Sequence, residues 1–478
     1  MKKKLLRIAV ITFLVFGMMT SVLSQDEPAL PSGLDDDEPS LPSGLGDDEP
    51  SLPSGLDGDS DKQTNEKQDE KKESEPPFNL SYFLEGRGGI RTQSDPNEKD
   101  FSLGEFRLQV HAEKQWDNFG FDLSADFLYD PVLSDYDVNL ETGDGFLDLR
   151  TAHISWTPVS FLDLKIGRQV LTWGTGDLLF INDLFPKDWN SFFIGRNIEY
   201  LKAPSDAIKA SFYMGFINLD LVYTPRFDAD RYIDGRRISY WNSNLGRRAG
   251  RDAVVNVDKP DNWFDDDEIA LRLFKDVNGI ELALYGYLGY WKSPGGQNLL
   301  GQAIFPKLNV YGASVRTPVG KGIANIELGF YHSRDDSKGD DPLINNSEAR
   351  FLVGYEFELI KELNVGLQYY VEWMVDYNNY LSTLPAGINS RDEVRHLITL
   401  RLTQQLLSQK LILSLFTFFS PSDMDSYIRP KIQYKMDDHW LFEGSGNIFI
   451  GKDKHTFFGQ FEKNTNVYLA IRYSGILF

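Results

Sequence analysis

From Leu80 onward the chain alternates apolar and polar residues in runs of about 9 to 14 residues, and that pattern constrains it more than any other. Phe106, Leu108, Val110 and Ala112 alternate with Arg107, Gln109, His111 and Glu113. Phe121, Leu123, Ala125 and Phe127 alternate with Asp122, Ser124 and Asp126. Phe351, Val353, Tyr355 and Phe357 alternate with Arg350, Leu352, Gly354 and Glu356. Side chains of a strand point to opposite faces in turn, so each run has one apolar and one wettable face. Strands of soluble sandwiches average roughly 5–6 residues, and these runs are about twice that, the length a tilted strand needs to cross a bilayer.

The runs number about eighteen, from 80–91 to 465–478. Connections after even-numbered runs are short turns. Those after odd-numbered runs are mostly long, with 172–206 and 226–266 the longest and 420–425 the short exception. A closed antiparallel barrel with short turns at one end and long loops at the other has this signature. The fold class expected is therefore all-β: a transmembrane antiparallel β-barrel of about 18 strands over 79–478, with a disordered N-terminal tail. In such a barrel the short turns face the periplasm, which places both termini there. The last stretch, Asn466 to Phe478, carries Val467, Leu469, Ile471 and Tyr473 on one face and resembles the terminal strand of bacterial outer-membrane barrels, the strand engaged by the barrel-assembly machinery. Strict alternation would turn Phe478 inward, so a one-residue bulge at Ser474–Gly475 is expected to restore its phase.

The segment before the barrel reads differently. Lys2, Lys3, Lys4 and Arg7 precede an apolar run from Ile8 to Met19, with Val22 and Ser24 as small residues before Gln25, so 1–24 reads as a secretory signal peptide. Over 25–78 follow three eleven-residue units, DEPALPSGLDD, DEPSLPSGLGD and DEPSLPSGLDG, and a polar stretch. Asp26 to Glu75 holds 17 acidic against 4 basic residues. Repelling like charges, paired prolines and no structural period mark a disordered acidic tail. It is either a solvated spacer or a tether whose LPSGL units dock a periplasmic partner. With no cysteine, disulfides, thiol catalysis and a lipoprotein anchor are excluded, and a net charge of −22 weighs against a nucleic-acid partner.

The hairpin LDLRTAHISWTP (Leu147–Pro158) and LDLKIGRQVLTWG (Leu162–Gly174), with YIRPKIQY (Tyr427–Tyr434) and FFGQFEKNTNVYLAIRY (Phe457–Tyr473), resembles a group of uncharacterised proteobacterial outer-membrane barrels, themselves similar to alginate-export-type porins. The resemblance spans roughly 80–478. It implies an 18-stranded barrel that passes a solute, and it carries no substrate with it.

Candidate pore and selectivity residues fall in three sets. Arg226, Arg231, Arg236, Arg237, Arg247, Arg248 and Arg251 crowd one loop of an otherwise acidic chain. Guanidinium groups bind carboxylate or phosphate bidentately, so this loop would select anions at the pore or meet lipopolysaccharide phosphates. The loop 172–203 holds Trp173, Phe180, Phe185, Trp189, Phe192, Phe193 and Tyr200 with Asp177, Asp183 and Asp188, and so much aromatic surface is expected to fold into the lumen. Gly174-Thr175-Gly176-Asp177 reads as a turn, since it lacks the lysine and strand-to-helix setting of a phosphate loop. Inward carboxylates Asp122, Asp126, Glu327, Glu356 and Glu372, with Arg168 of the GRQ motif, complete the set. The six histidines show no metal-ligand spacing, no hydrolase nucleophile motif is present, and neither cofactor nor metal is expected. The function expected is an outer-membrane porin-like channel for a polar solute, small or oligomeric and an anion on one reading, with selectivity set by lumen charges and an infolded loop, held among outer-membrane lipid and lipopolysaccharide. The alternative is an anchor or exit duct of an envelope complex recruited through the tail.

Overall fold

The computed structural model describes residues 78–133 and 137–477. The signal peptide, the tail up to residue 77 and Phe478 lie outside these residues. Among them, eighteen antiparallel strands close into one barrel. They are β1 Asn79–Arg91, β2 Phe101–Trp116, β3 Phe119–Tyr129, β4 Leu147–Val159, β5 Leu162–Val170, β6 Pro204–Tyr213, β7 Asn218–Thr224, β8 Glu268–Val277, β9 Ile280–Tyr290, β10 Lys307–Val319, β11 Gly322–Ser333, β12 Glu348–Ile360, β13 Leu363–Met374, β14 Val394–Leu406, β15 Leu411–Ser420, β16 Asp425–Lys435, β17 Trp440–Gly451 and β18 Asn466–Ile476. Each pairs with its neighbours in sequence, and β18 closes on β1, from Ser81 opposite Ile476 to Arg91 opposite Asn466. Closure leaves no strand edge unpaired, the condition for a sheet in hydrocarbon.

The alternation sorts side chains as the period-two reading requires. Leu469 is 73% exposed on the outer wall, while Tyr468 and Ala470 beside it are 3% and 9% exposed inside. Phe106, Ile154, Ile166, Leu284, Leu328 and Leu367 extend the exposed outer belt. The inner wall is charged instead, with Glu85, Arg87, Glu105, Arg107 and Asp126 all buried there. Connections after even-numbered strands have at most four residues. Those after odd-numbered strands have nine or more, except 421–424. The barrel thus has a short-turn end, where β1 starts and β18 stops, and a long-loop end.

The bulge expected at Ser474–Gly475 does not form. The β18–β1 register runs unbroken through Ser474 opposite Phe83, Gly475 opposite Tyr82 and Ile476 opposite Ser81. The Ser474 N–H donates to His439 O at 2.9 Å and the Leu477 N–H to Leu80 O. β18 is bonded on both edges, so an inserted residue would strip bonds from two ladders. Ile476 keeps its inward phase at the short-turn rim and is 81% exposed there.

Candidate functional site

The connection from β5 to β6 does not stay at the long-loop end but folds across the lumen. It carries α1, Trp189–Ile194, and a 3-10 turn, Ile198–Leu201. The α1 N-cap is Asp188, whose carboxylate accepts from the Ser191 N–H at 2.7 Å, and the helix ends on Gly195 in the left-handed conformation, φ +96°. Trp173, Ile181, Phe185, Phe192, Phe193, Ile194, Tyr200 and Leu201 are all buried. Phe192 and Phe193 pack edge-on against Tyr427 of β16, at 5.5 and 5.3 Å between ring centres. Burial of this aromatic surface is what drives the loop inward.

Polar contacts fix the loop to the wall. Gly174 and the residues after it wrap the carboxylate of Glu327 on β11. The Thr175 and Gly176 N–H groups donate to one oxygen at 2.9 and 3.1 Å, and the Asn182 N–H and side-chain amide donate to the other at 2.8 and 2.9 Å. The expected turn is therefore a carboxylate-binding nest of backbone donors. At the other side of the lumen Arg87 of β1 donates to Gly195 O at 2.8 Å, and Arg196 to Glu105 of β2 at 2.8 Å. Arg472 of β18 donates to Glu199 at 3.0 Å. A bulge in β4 leaves Arg150 unpaired between Leu149 and Thr151, and its guanidinium donates to Lys202 O at 2.7 Å. Buried charges persist when paired and hydrogen-bonded, as Arg196 is with Glu105 and Arg87 with Glu443.

The connection 225–267 forms a lid over this plug. Arg231 grips Asp148 bidentately at 2.8 and 2.9 Å and reaches the α1 cap Asp188 at 3.4 Å. Arg237 pairs with Asp130. Asp230 accepts from the Lys187 N–H and from Trp189 Nε1 at 2.8 and 3.0 Å. Arg226 pairs with Glu141 and Asp261, Arg248 donates to Gly459 O and Gln460 O, and Arg251 donates to Val132 O. Arg236 and Arg247, both about half exposed, pair with Asp234 and Asp252. Six of the seven, Arg236 through Asp144 at 3.4 Å, thus hold the lid to its neighbours, and Arg247 pairs within the lid. Burial pushes two carboxyls in this region upward: Glu98, beside Arg91 and Arg251, to about 7, and Asp228, near Glu268, to about 6.

The remaining candidates line the inner wall. Arg168 pairs bidentately with Asp206 at 2.6 and 2.9 Å. Asp126 pairs with Arg107, and Asp122 contacts His111 at 2.8 Å and Thr151. Glu372 pairs with Arg391 at 3.1 Å, and Glu356 is exposed near the short-turn end. Asp177 projects from the plug to Arg401 of β14 in a bidentate pair.

That pair borders a cleft of ≈ 80 Å³ between the plug and the wall. Leu178, Arg196, Asn197 and Ile198 form its plug side; Arg401, Phe416, Arg429, Lys431, Glu443 and Tyr468 form its wall side. Arg401 stands opposite Phe416, and Phe416 opposite Arg429, one row across β14, β15 and β16. Arg429 lies 4.3 Å from the Phe192 ring. Among the described residues neither Arg429 nor Lys431 forms an ion pair, and Glu443 is bound to Arg87 at 2.7 Å. The cleft is therefore positive. The sequence reading passed over this row. Its signal was the alternation Tyr427, Arg429, Lys431, Gln433 inside YIRPKIQY, which puts both cations on the inner face.

No family model and no curated relative matches the sequence. Solved structures match in architecture. OccAB4 of Acinetobacter baumannii covers 84% of this chain and 98% of its own at 10% identity, with a TM-score of 0.51. OccAB3 of the same organism covers 84% and 100% at 11% identity, with a TM-score of 0.50. At such identity they establish the shared barrel fold, and they show no similarity to alginate-export-type porins in particular.

Proposed function

We propose that this chain is an outer-membrane, porin-like channel that passes a small polar solute and favours anions. One observation carries the reading: a cleft opens between the plug and β14–β18, and two of its cations lack a carboxylate partner. A low-dielectric wall with fixed uncompensated charge concentrates ions of opposite sign. The neighbours of the same fold are outer-membrane Occ porins, which supports a channel in that membrane. The short-turn end then faces the periplasm, as in barrels of this class. Selectivity, on this reading, belongs to Arg401, Arg429 and Lys431 at the cleft, while Arg231 and Arg237 hold the lid. Single-channel recording in planar bilayers tests it. Refolded barrel should conduct, and its reversal potential in a salt gradient should report anion preference. No current, with or without the loop 172–203, rejects the channel; cation preference rejects the charge assignment.

A further inference from the structure

The outer wall of the barrel is hollowed between β10 and β13 by a groove of ≈ 490 Å³. The register of four strands makes it. Tyr311 stands opposite Phe330, Phe330 opposite Ala349, and Ala349 opposite Trp373, in one outward row. Tyr311, Phe330 and Trp373 are 41 to 55% exposed, and Ala349 puts a single methyl between two large rings. Neighbouring strands lie roughly 4.8 Å apart, so Phe330 and Trp373 flank a gap of about 10 Å. Ala313, Leu328, Phe351 and Val371 continue the trough one row toward the short-turn end. Arg350 behind it turns inward onto the Tyr331 ring. Toward the long-loop end the same face turns polar and then positive. Asn309 stands opposite His332, and one row beyond, the Arg334 N–H donates to Lys307 O at 2.9 Å. Lys307 and Arg334 are therefore side by side and exposed, and among the described residues neither forms an ion pair. Asp335, the acid beside them, accepts the Lys307 backbone N–H at 2.7 Å.

We propose that this groove is a lipid site: it seats an acyl chain of a phosphorylated glycolipid, the lipid A part of lipopolysaccharide, whose phosphate is held by Lys307 and Arg334. The order of chemistry along the wall names the ligand class. An apolar trough takes hydrocarbon, a polar row at Asn309 and His332 meets a sugar, and two free cations take an anion. Tyr311 lies four residues below Lys307, roughly 13 Å along β10, so headgroup and chain stand at different depths, as in a bilayer. Trp373 and Tyr311 border the trough with amphipathic rings of the kind that sit at the headgroup level. With the short-turn end in the periplasm, as proposed above, this face belongs to the outer leaflet, and the phosphorylated amphiphile there is lipid A. The site faces away from the lumen, so it stands or falls independently of conduction.

Native mass spectrometry of the full chain, refolded in detergent and titrated with lipid A, tests the site. The parent should retain lipid A. Replacing both cations, Lys307→Ser with Arg334→Ser, should weaken retention about tenfold. Ala349→Trp fills the gap and should weaken it with the cations in place, and Ala349→Leu serves if the larger ring impairs folding, which the gel mobility of unheated samples reports. Dephosphorylated lipid A should bind the parent as weakly as lipid A binds the double variant. Equal retention by parent and variants overturns the site. Phosphatidylglycerol held as tightly as lipid A overturns the glycolipid as occupant. Loss of a lipid-free dimer or trimer in Ala349→Trp, with lipid retention unchanged, makes the groove a contact between copies and overturns the proposal as well. Bilayer recording of the same preparations keeps the two readings apart: specific lipid retention without current removes the channel and leaves the site, and current without specific retention does the reverse.

Discussion

Glu327 and Asn182 are 145 residues apart in sequence, yet the carboxylate of the first accepts both the backbone and the side-chain amide protons of the second, at 2.8 and 2.9 Å. With Thr175 and Gly176 on its other oxygen, this single wall carboxylate fixes both ends of one turn of the plug. Hydrogen bonds to a charged acceptor contribute ~1.5–3 kcal/mol each. Glu327→Gln removes the charge and points an NH₂ group at donors. The plug should loosen, and single-channel conductance should rise with added flicker. A conductance and noise spectrum equal to the parent's would show that the plug does not depend on this nest.

The lid should respond to pH. Seated, it holds Glu98 and Asp228 with carboxyl pKa values of about 7 and about 6, raised by burial. Once lifted, both return toward about 4. The seated lid therefore binds more protons than the lifted one between those values. Its seating is strongest in acid and weakens as pH rises through 6 and 7. Limited proteolysis of 225–267 should be faster at pH 8 than at pH 5, and Glu98→Gln should flatten part of that difference. Faster cleavage in acid would reverse the sign and reject the account.

Arg231 and Asp148 should behave as a unit. Asp148→Leu leaves Arg231 only its longer contact to Asp188 at 3.4 Å, and Arg231→Met leaves Asp148 only Arg150 at 3.9 Å, so each should cost stability, up to roughly 3–5 kcal/mol. The double variant, with neither charge, should lose less than the sum of the two. Thermal unfolding followed by the gel mobility of heated and unheated samples measures all three. Additive losses would mean that the pair is not coupled.

Gly195 closes α1 where a side chain has no room. At φ +96° a Cβ would stand 2.2 Å from Cε1 of Tyr468. Gly195→Ala should displace either the helix end or the Tyr468 ring, and Tyr468 lines the cleft. The expected outcome is lower refolding yield and altered conductance, whereas Ala in place of Gly286, where a Cβ meets nothing within 4 Å, should refold as the parent does. Equal yields would mean that the helix end yields easily.

Much of the fold is legible in the sequence because lipid and water enforce it residue by residue. Val467, Leu469 and Ile471 face outward since the bilayer tolerates little else there, and turn length follows from strand pairing. The inward fold of 172–203 is legible for the same reason: seven aromatics are costly in water. What stayed hidden depends on register. Arg401 and Arg429 meet on one row only because β14, β15 and β16 pair with Phe416 between them, and no local pattern encodes that offset. The lid arginines looked free because their partners, Asp130, Asp148 and Glu141, lie 83 to 107 residues away. The expected bulge at Gly475 failed because local phase was weighed without the two ladders that flank β18.

The plug lies between β5 and β6, but its anchors do not. Glu327 belongs to β11, Arg401 to β14, Tyr427 to β16, and Asn466, which donates to Phe193 O, opens the final strand. A chain emerging from its amino end therefore makes the plug long before the surfaces that hold it, and contacts of such sequence separation form slowly. The seat of this aromatic segment is complete only with β18 in place. The seated plug therefore requires strands from the middle and the end of the chain to stand in one wall.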